Sequence, residues 1–368
     1  MNERKDDLKR TPLFEAHVTL GARLVPFAGW EMPLQYTSIL DEARAVRTRC
    51  GIFDISHMGR VIFTGSGAAS FLHSILTADV LGLQVGRARY SLVCNEEGGI
   101  IDDTLVYRWS MDRFMLVPNA ANTPAVLKWV SLWISDHPDA QFQEVTHEYS
   151  MIAFQGPDAI NILEKLCPIS ISSLRPFGCI EAQVSGRDVL LSRTGYTGED
   201  GVELILSREH AAHLWGLLIE RGAKPCGLGA RDVLRLEAGL LLHGSDMDVS
   251  INPFEAGLER FVKANEEGFI AGRALAAIRV QGVSKRLVGF DLAGRNIPRH
   301  GYPILDGQKQ IGGVTSGGYS PTLDKNIGLG YVPQRYSTLG SQFQIDIRGR
   351  VADAMVAHLP FYSRLRGA

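Results

Sequence analysis

The hydrophobic and polar pattern of residues 90–122, YSLVCNEEGGIIDDTLVYRWSMDRFMLVPNAAN, sets two adjacent carboxylates inside a segment that otherwise reads as buried β-structure. The pattern predicts a strand over residues 90–94, a turn Asn95-Glu96-Glu97-Gly98-Gly99 whose two glycines accept positive φ, and a returning strand over residues 100–108. Side chains alternate along a strand, so Ile101, Asp103, Leu105 and Tyr107 share one face, and Ile100, Asp102, Thr104 and Val106 the other. Asp103 then lies among apolar neighbours. A buried carboxylate needs a hydrogen-bonded partner or a raised pKa, so the pair Asp102-Asp103 is either a functional group or two solvated residues beside a turn.

The same reading covers the rest of the chain. A helix ends near Gly21, followed by extended residues 25–27 and a loop through Ala28-Gly29-Trp30. The aromatic residues Phe27, Trp30 and Tyr36, with Met32, either fold over the core or line a site. Residues 37–49 carry a helical stripe of Ile39, Ala43 and Val46, and residues 52–58 a short strand. Two segments, VIFTGSGAASFLHSIL and MIAFQGPDAINILEKL, share F-x-G-x-x-A at the passage from strand to helix (Phe63, Gly65, Ala68; Phe154, Gly156, Ala159). They predict two related strand-helix units. Neither GSGAAS nor the later GLGARD completes a phosphate-binding fingerprint.

Further strands are predicted over residues 113–117 and on both sides of RTGYTGEDGVEL, and helices over residues 124–135, 210–221 and 230–242. Asn119 ends a strand at a loop, where its amide is available to a ligand. The glycines around Tyr196, Glu199 and Asp200 fit either a plain hairpin tip or a turn through which backbone approaches another group closely. Arg231 stands in the first turn of a helix against the helix dipole, so it requires another partner. From Ser284 on, Gly and Pro punctuate short β-patterned runs, which predicts a separate barrel-like domain over residues 284–368 beside an α+β region over residues 1–283.

Composition narrows the function. A length of 368 residues holds two or three domains, and 45% hydrophobic against 21% charged residues is ordinary globular usage. A formal net charge of -2 provides no general field for nucleic acid. The charged start lacks an apolar signal region and no stretch reaches membrane-spanning length, so the expected location is cytoplasmic. Five cysteines without a C-x-x-C pair suit a reducing compartment and no structural zinc. His210 and His213 have helical ligand spacing but no third ligand close in sequence, so no metal is assigned.

Six segments, VPFAGWEMPLQY, FDISHMG, GGIIDDTLVY, RTGYTGEDGVEL, GARDVLRLEAG and YSPTLDKNIGLGYV, in this order over more than 300 positions, resemble the T-protein family of the glycine cleavage system. The resemblance implies a three-domain cloverleaf around a central folate channel, with a ferredoxin-like domain carrying the central hairpin and a C-terminal β-barrel-like domain. It implies an aminomethyltransferase that takes a one-carbon unit from the aminomethyl-lipoyl arm of the carrier (H) protein and passes it to tetrahydrofolate, forming 5,10-methylenetetrahydrofolate and ammonia without a metal. Asp103, the second aspartate of the family's IDD motif, would stabilise the charge that develops as ammonia leaves. Folate contacts carry over onto Met58, Tyr90, Tyr107, Asn119, Tyr196, Glu203 and Arg231, and in the tail LPFYSR onto Tyr362 and Arg364. Glu203 would accept two hydrogen bonds from the pterin's amino edge.

Arg260, in GLERFVK, departs from the family's usual aromatic residue. This run is also similar to the folate domains of dimethylglycine and sarcosine dehydrogenases, whose large flavin segment is absent here. Two alternatives remain in view. One is a tetrahydrofolate-dependent demethylase of the same fold. The other is a folate-binding protein of iron-sulfur cluster maintenance, whose K-G-C-Y-x-G motif has its cysteine replaced here by Gly195.

Overall fold

The computed structural model describes residues 8–263 and 268–364; the charged start, residues 1–7, lies outside them. The chain forms two units. The first comprises Met1–His73, Asp79–Ser91 and Thr104–Asp232, and the second Ser74–Ala78, Leu92–Asp103 and Val233–Ala368. The chain passes into the second unit along the strand Arg87–Cys94 and returns along Ile100–Arg108. Among the described residues no helix is long and apolar enough to cross a membrane.

In the first unit a six-stranded sheet runs in the order Cys179–Val184, Arg187–Ser192, Gly201–Ser207, Tyr149–Gln155, Gly51–Asp54, Lys224–Pro225. Its pairs are antiparallel except the last. The strands Tyr149–Gln155 and Gly201–Ser207 are buried almost throughout, because Trp215, Leu214 and Leu218 of the helix Ala211–Glu220 and Ile160 and Leu163 of Ala159–Glu164 join the same core. A second sheet has the order Arg87–Cys94, Ile100–Arg108, Arg113–Val117, Val61–Thr64, Gln141–Glu144.

The two F-x-G-x-x-A segments fold alike. In each, the glycine has positive φ (103° at Gly65, 128° at Gly156), and its carbonyl accepts the N–H of Ala68 or Ala159 at 3.0 Å. A Cβ would meet the Asp139 carbonyl oxygen at 2.1 Å from Gly65 and the Arg49 carbonyl oxygen at 2.5 Å from Gly156. These glycines serve close packing against carbonyl groups, which is no place for an anion.

Several predicted boundaries move. The expected aromatic loop is a strand, Trp30–Gln35, paired with Arg23–Phe27 through a two-residue turn in which Ala28 and Gly29 have φ of 51° and 77°. It buries Trp30 and Met32 and leaves Phe27 at the tip. The expected helix over residues 230–242 is Leu228–Glu237, stopped at Gly239, whose φ of 66° is left-handed. His210 closes a 3-10 turn and His213 lies exposed on the following helix. Among the described residues no group of three or more His, Cys, Asp or Glu is arranged to hold a metal ion.

In the second unit the predicted barrel is present and closed, with strands Lys285–Leu292, Lys325–Pro333, Lys309–Ser320, Pro303–Asp306, Gln342–Ile347 and Arg350–Ala357 around the ring. Phe290, Val314, Phe343 and Ile345 fill it. The hairpin turn also belongs to this unit. Only Gly98 has the expected positive φ, 88°. Gly99 is needed for another reason: a Cβ there would lie 2.0 Å from the Val249 carbonyl oxygen.

Candidate functional site

Glu203 stands in the middle of an antiparallel sheet, opposite Ser192 on one side and Ala153 on the other. Its chain neighbours Val202 and Leu204 are apolar, and it is buried. Thr194 Oγ1 donates to its Oε2 at 2.5 Å and the Tyr107 hydroxyl donates at 3.4 Å, while Ser192 Oγ lies 2.7 Å from Thr194 Oγ1. Burial raises the Glu203 pKa above the usual carboxylate range; the bonds from Thr194 and Tyr107 and the charge of Arg231 offset only part of this. Burial and the Glu203 charge likewise push the Tyr107 phenol up, so Tyr107 remains a neutral donor.

Arg231 has the second partner that its place at a helix start demanded. Its guanidinium lies 4.5 Å from the centroid of the Tyr196 ring, a cation-π contact, and Glu203 adds an opposite charge. Removal from water lowers its pKa, and its Nη1 is enclosed with no hydrogen-bond partner. A buried donor without a partner calls for an acceptor.

The loop bearing Tyr196 is fixed by its own charged residues. Arg193 clamps Asp200 through Nε (3.0 Å) and Nη2 (2.5 Å), and Arg47 Nη1 reaches the Thr197 carbonyl (2.7 Å) and Glu199 (3.0 Å) from a buried position. Glu199 and Asp200 are therefore structural. Gln155 completes the frame: its Nε2 donates to the Thr194 and Val202 carbonyls at 3.0 and 3.1 Å, and its Oε1 accepts from Thr197 at 2.9 Å. The two open readings of this loop resolve in favour of close approach, because a Cβ on Gly195 would stand 1.9 Å from Gln155 Oε1. A cysteine at that position would displace the side chain that shapes the loop.

Met58 follows a buried segment in which Asp54 accepts from Thr11 (2.6 Å), the Ser56 N–H (2.9 Å) and His17 Nε2 (2.9 Å). Burial acts to raise the Asp54 pKa, but the bonds and charge of His17 and the bonds of Ser56 and Thr11 win and leave it at about 2. His57 is buried beneath Phe27, with ring centroids 5.6 Å apart. Burial lowers its pKa to about 3, against the opposing charge of Asp54 and with smaller contributions from Arg231 and Arg60, so the imidazole is neutral; its Nδ1 has no partner.

Tyr107, Tyr196, Glu203 and Arg231 are thus brought together, with His57 within reach of the Arg231 charge; Met58 follows His57 in the chain, its carbonyl accepting from Arg60 Nη1 at 2.7 Å. Tyr90 and Asn119 belong to the same unit, both half-buried. The Asn119 carbonyl accepts from Asn122, Thr123 and the Thr123 hydroxyl, which starts the helix Thr123–Trp133. Asp103 and Arg364 belong to the second unit, as does Tyr362, whose N–H donates to the Glu237 carbonyl at 2.7 Å. The expectation of Asp103 as the carboxylate set among apolar residues is corrected. Asp102 is the wholly buried one and Asp103 is half-buried, because Ile100, Asp102, Thr104 and Val106 form the covered face of the strand.

Sequence reasoning overlooked Thr194, Gln155, Arg47 and His57. The first two flank positions already singled out, and a buried Gln at the end of a strand before Gly156 was the available signal.

Known proteins agree with this architecture. A family model described as the GCVT N-terminal domain matches residues 13–266, and one described as the glycine cleavage T-protein C-terminal barrel domain matches residues 285–363. An aminomethyltransferase from Halothermothrix orenii is 47% identical, covering 96% of this chain and 100% of that protein. Another from Geobacillus kaustophilus is 45% identical over 98% of this chain and 100% of its own length. The crystal structure of glycine cleavage system aminomethyltransferase T from Bartonella henselae is 36% identical and superposes with a TM-score of 0.92 over 97% of this chain and 99% of that one. The chain belongs to the glycine cleavage T-protein family of aminomethyltransferases.

Proposed function

We propose that this aminomethyltransferase receives its one-carbon unit as an aminomethyl group on the sulfur of a lipoyl arm, delivered by the carrier (H) protein of the glycine cleavage system. It passes the unit to tetrahydrofolate, and 5,10-methylenetetrahydrofolate, ammonia and the reduced lipoyl arm leave. The reaction takes place in the cytoplasm.

The observation that carries this reading is the buried carboxylate of Glu203. Held by Thr194 and Tyr107, it offers acceptor capacity to a planar pair of N–H donors, which is what the amino edge of a pterin presents. Arg231, with its enclosed Nη1 unpartnered, supplies a donor for a carbonyl on the same heterocycle. Tyr196 beneath the guanidinium limits its motion. Met58, Tyr90, Asn119 and Arg364 contribute further folate contacts.

Asp103 has the catalytic role. As ammonia departs from the S–CH2–N carbon, positive charge develops there, and a carboxylate that meets this charge favours the transition state over the ground state. A half-buried position suits such a group, because water screens it less than at a surface.

The test is a reconstituted reaction. The protein, tetrahydrofolate and an aminomethylated lipoyl carrier should yield ammonia and methylenetetrahydrofolate in equal amounts. Turnover of a small methylated substrate without any carrier would instead favour a demethylase.

A further inference from the structure

The two oxygens of Glu203 are not equivalent. Thr194 Oγ1 and the Tyr107 hydroxyl both donate to Oε2, at 2.5 and 3.4 Å, while among the described residues Oε1 accepts no hydrogen bond. The Thr194 bond is close and the Tyr107 bond stands at the long end of the range. Thr194 is therefore the fixed partner of Oε2, and the place of Tyr107 can pass to an N–H of a ligand.

The Thr194 hydroxyl has support of its own. Ser192 Oγ lies 2.7 Å from it. An ionised carboxylate only accepts, so the single Thr194 proton is committed to Glu203, and the proton in the Ser192–Thr194 contact belongs to Ser192. The bonds thus run one way, Ser192 to Thr194 to Glu203, and each polarises the next. The Tyr107 hydroxyl, 3.5 Å from Thr194 Oγ1, stands at the limit of a bond and adds little to this chain. Backbone holds the relay in place. Ser192 ends the strand Arg187–Ser192 directly opposite Glu203, and the Thr194 carbonyl accepts from Gln155 Nε2 at 3.0 Å. Ser192, Thr194 and Glu203 are all buried.

Two consequences bear on ligand binding. The terminal torsion of a glutamate is soft, and the Thr194 bond restrains it, so that Oε1 stays the open oxygen. Burial opposes the ionised form of Glu203; the Thr194 bond favours it, together with the charge of Arg231 from the helix Leu228–Glu237 and the bond of Tyr107 from the strand Ile100–Arg108. We propose that Thr194, backed by Ser192, is a positioning residue for folate recognition: it anchors Glu203 through Oε2 and leaves Oε1 to the donor edge of the pterin. This rests on the role given to Glu203 under the proposed function.

The experiment titrates the full chain with tetrahydrofolate by calorimetry, from mildly acidic to mildly alkaline pH. It compares Thr194→Val, which keeps the shape and loses the hydroxyl, with Thr194→Ser, which keeps the hydroxyl, and makes Thr194→Val again in a Glu203→Ala background. At the alkaline end Thr194→Val should bind about 5- to 50-fold more weakly, within the worth of a hydrogen bond to a charged group. Its kcat at saturating tetrahydrofolate, with aminomethylated carrier, should stay within about threefold of the parent. On acidification its affinity should fall away at a higher pH than the parent's, because the neutral acid gains ground when the hydroxyl is lost. Thr194→Ser should restore both properties. In the Glu203→Ala background Thr194→Val should change affinity by less than about twofold. Should Thr194→Val fail to fold, Ser192→Ala, which strips the relay of its first donor, should move the acid limb the same way by a smaller step. Unchanged affinity, an acid limb that stays with the parent's in either variant, no recovery with Ser, or an equal loss in both backgrounds overturns the proposal. If Glu203→Ala binds tetrahydrofolate as the parent does, the role of Glu203 falls and this inference with it; a loss at Glu203 with none at Thr194 overturns only the inference.

Discussion

Asp102 and Asp103 are neighbours in the chain and point to opposite faces of one strand, Asp102 fully enclosed at 0% exposure and Asp103 half-buried. Two chemically identical groups therefore stand in different environments. Asp102→Asn should act on stability, lowering it by about 1 to 3 kcal/mol, as expected when a buried polar group loses its complement of partners. Turnover per folded molecule should fall less than in Asp103→Asn. Urea unfolding beside a kcat corrected for active fraction separates the two effects.

Glu203 carries a pH signature. Its pKa is raised in the folded protein by burial. From the ordinary carboxylate value up to that raised one, the folded state holds a proton that the unfolded chain has released, so stability falls as pH rises through this window. Glu203→Gln cannot ionise and should remove that component of the slope. Unfolding free energies of both proteins across mildly acidic to neutral pH decide it, and parallel curves would refute it. Calorimetry on Glu203→Ala should find tetrahydrofolate bound about 1 to 3 kcal/mol more weakly.

Asp54 has the opposite sign. Burial favours its neutral form, but His17, Ser56 and Thr11 hold the carboxylate down from 3.8 to about 2. The resulting stabilisation is fully present above the unfolded value and is lost as pH falls from there through the folded one; it amounts to about 2 kcal/mol. Asp54→Asn should abolish this acid-dependent component while being less stable at neutral pH. An acid unfolding curve of the variant as steep as the parent's below pH 4 would contradict the assignment.

No thiol is poised to attack. Burial raises Cys50 and Cys167 to about 11 and Cys179 to about 12, and also pushes the Cys94 and Cys226 thiols well up. Thiolate, the reactive form, is then scarce at neutral pH. A variant with all five replaced by serine or alanine should keep its turnover. Complete loss in the folded variant would indicate a covalent intermediate.

Local patterns account for some of these features and not others. The strands Ile100–Arg108 and Arg113–Val117 have the bounds that alternation and flanking turns indicate. Alternation also separates Asp102 from Asp103, but Ile100 and Val106 on one side are as apolar as Ile101 and Leu105 on the other. Which face is covered depends on what packs there. Trp30–Gln35 reads as a loop because Pro33 interrupts its pattern; it is a strand because the Ala28-Gly29 turn pairs it with Arg23–Phe27. In GVELIL every residue is buried, so periodicity gives Glu203 no distinguished face, and its significance came from family resemblance. The partners of Gln155 and His57 lie far away in sequence, where no local rule reaches.

The central claim is that Asp103 acts on the transition state and not on folate binding. Single-turnover kinetics of Asp103→Asn, with saturating tetrahydrofolate and aminomethylated carrier, measures this directly. The chemical step should slow by about 100-fold or more, the scale of electrostatic groups in transition states. Tetrahydrofolate affinity and thermal stability should stay near those of the parent. A folded Asp103→Asn protein that forms methylenetetrahydrofolate and ammonia at the parent's rate would contradict the account.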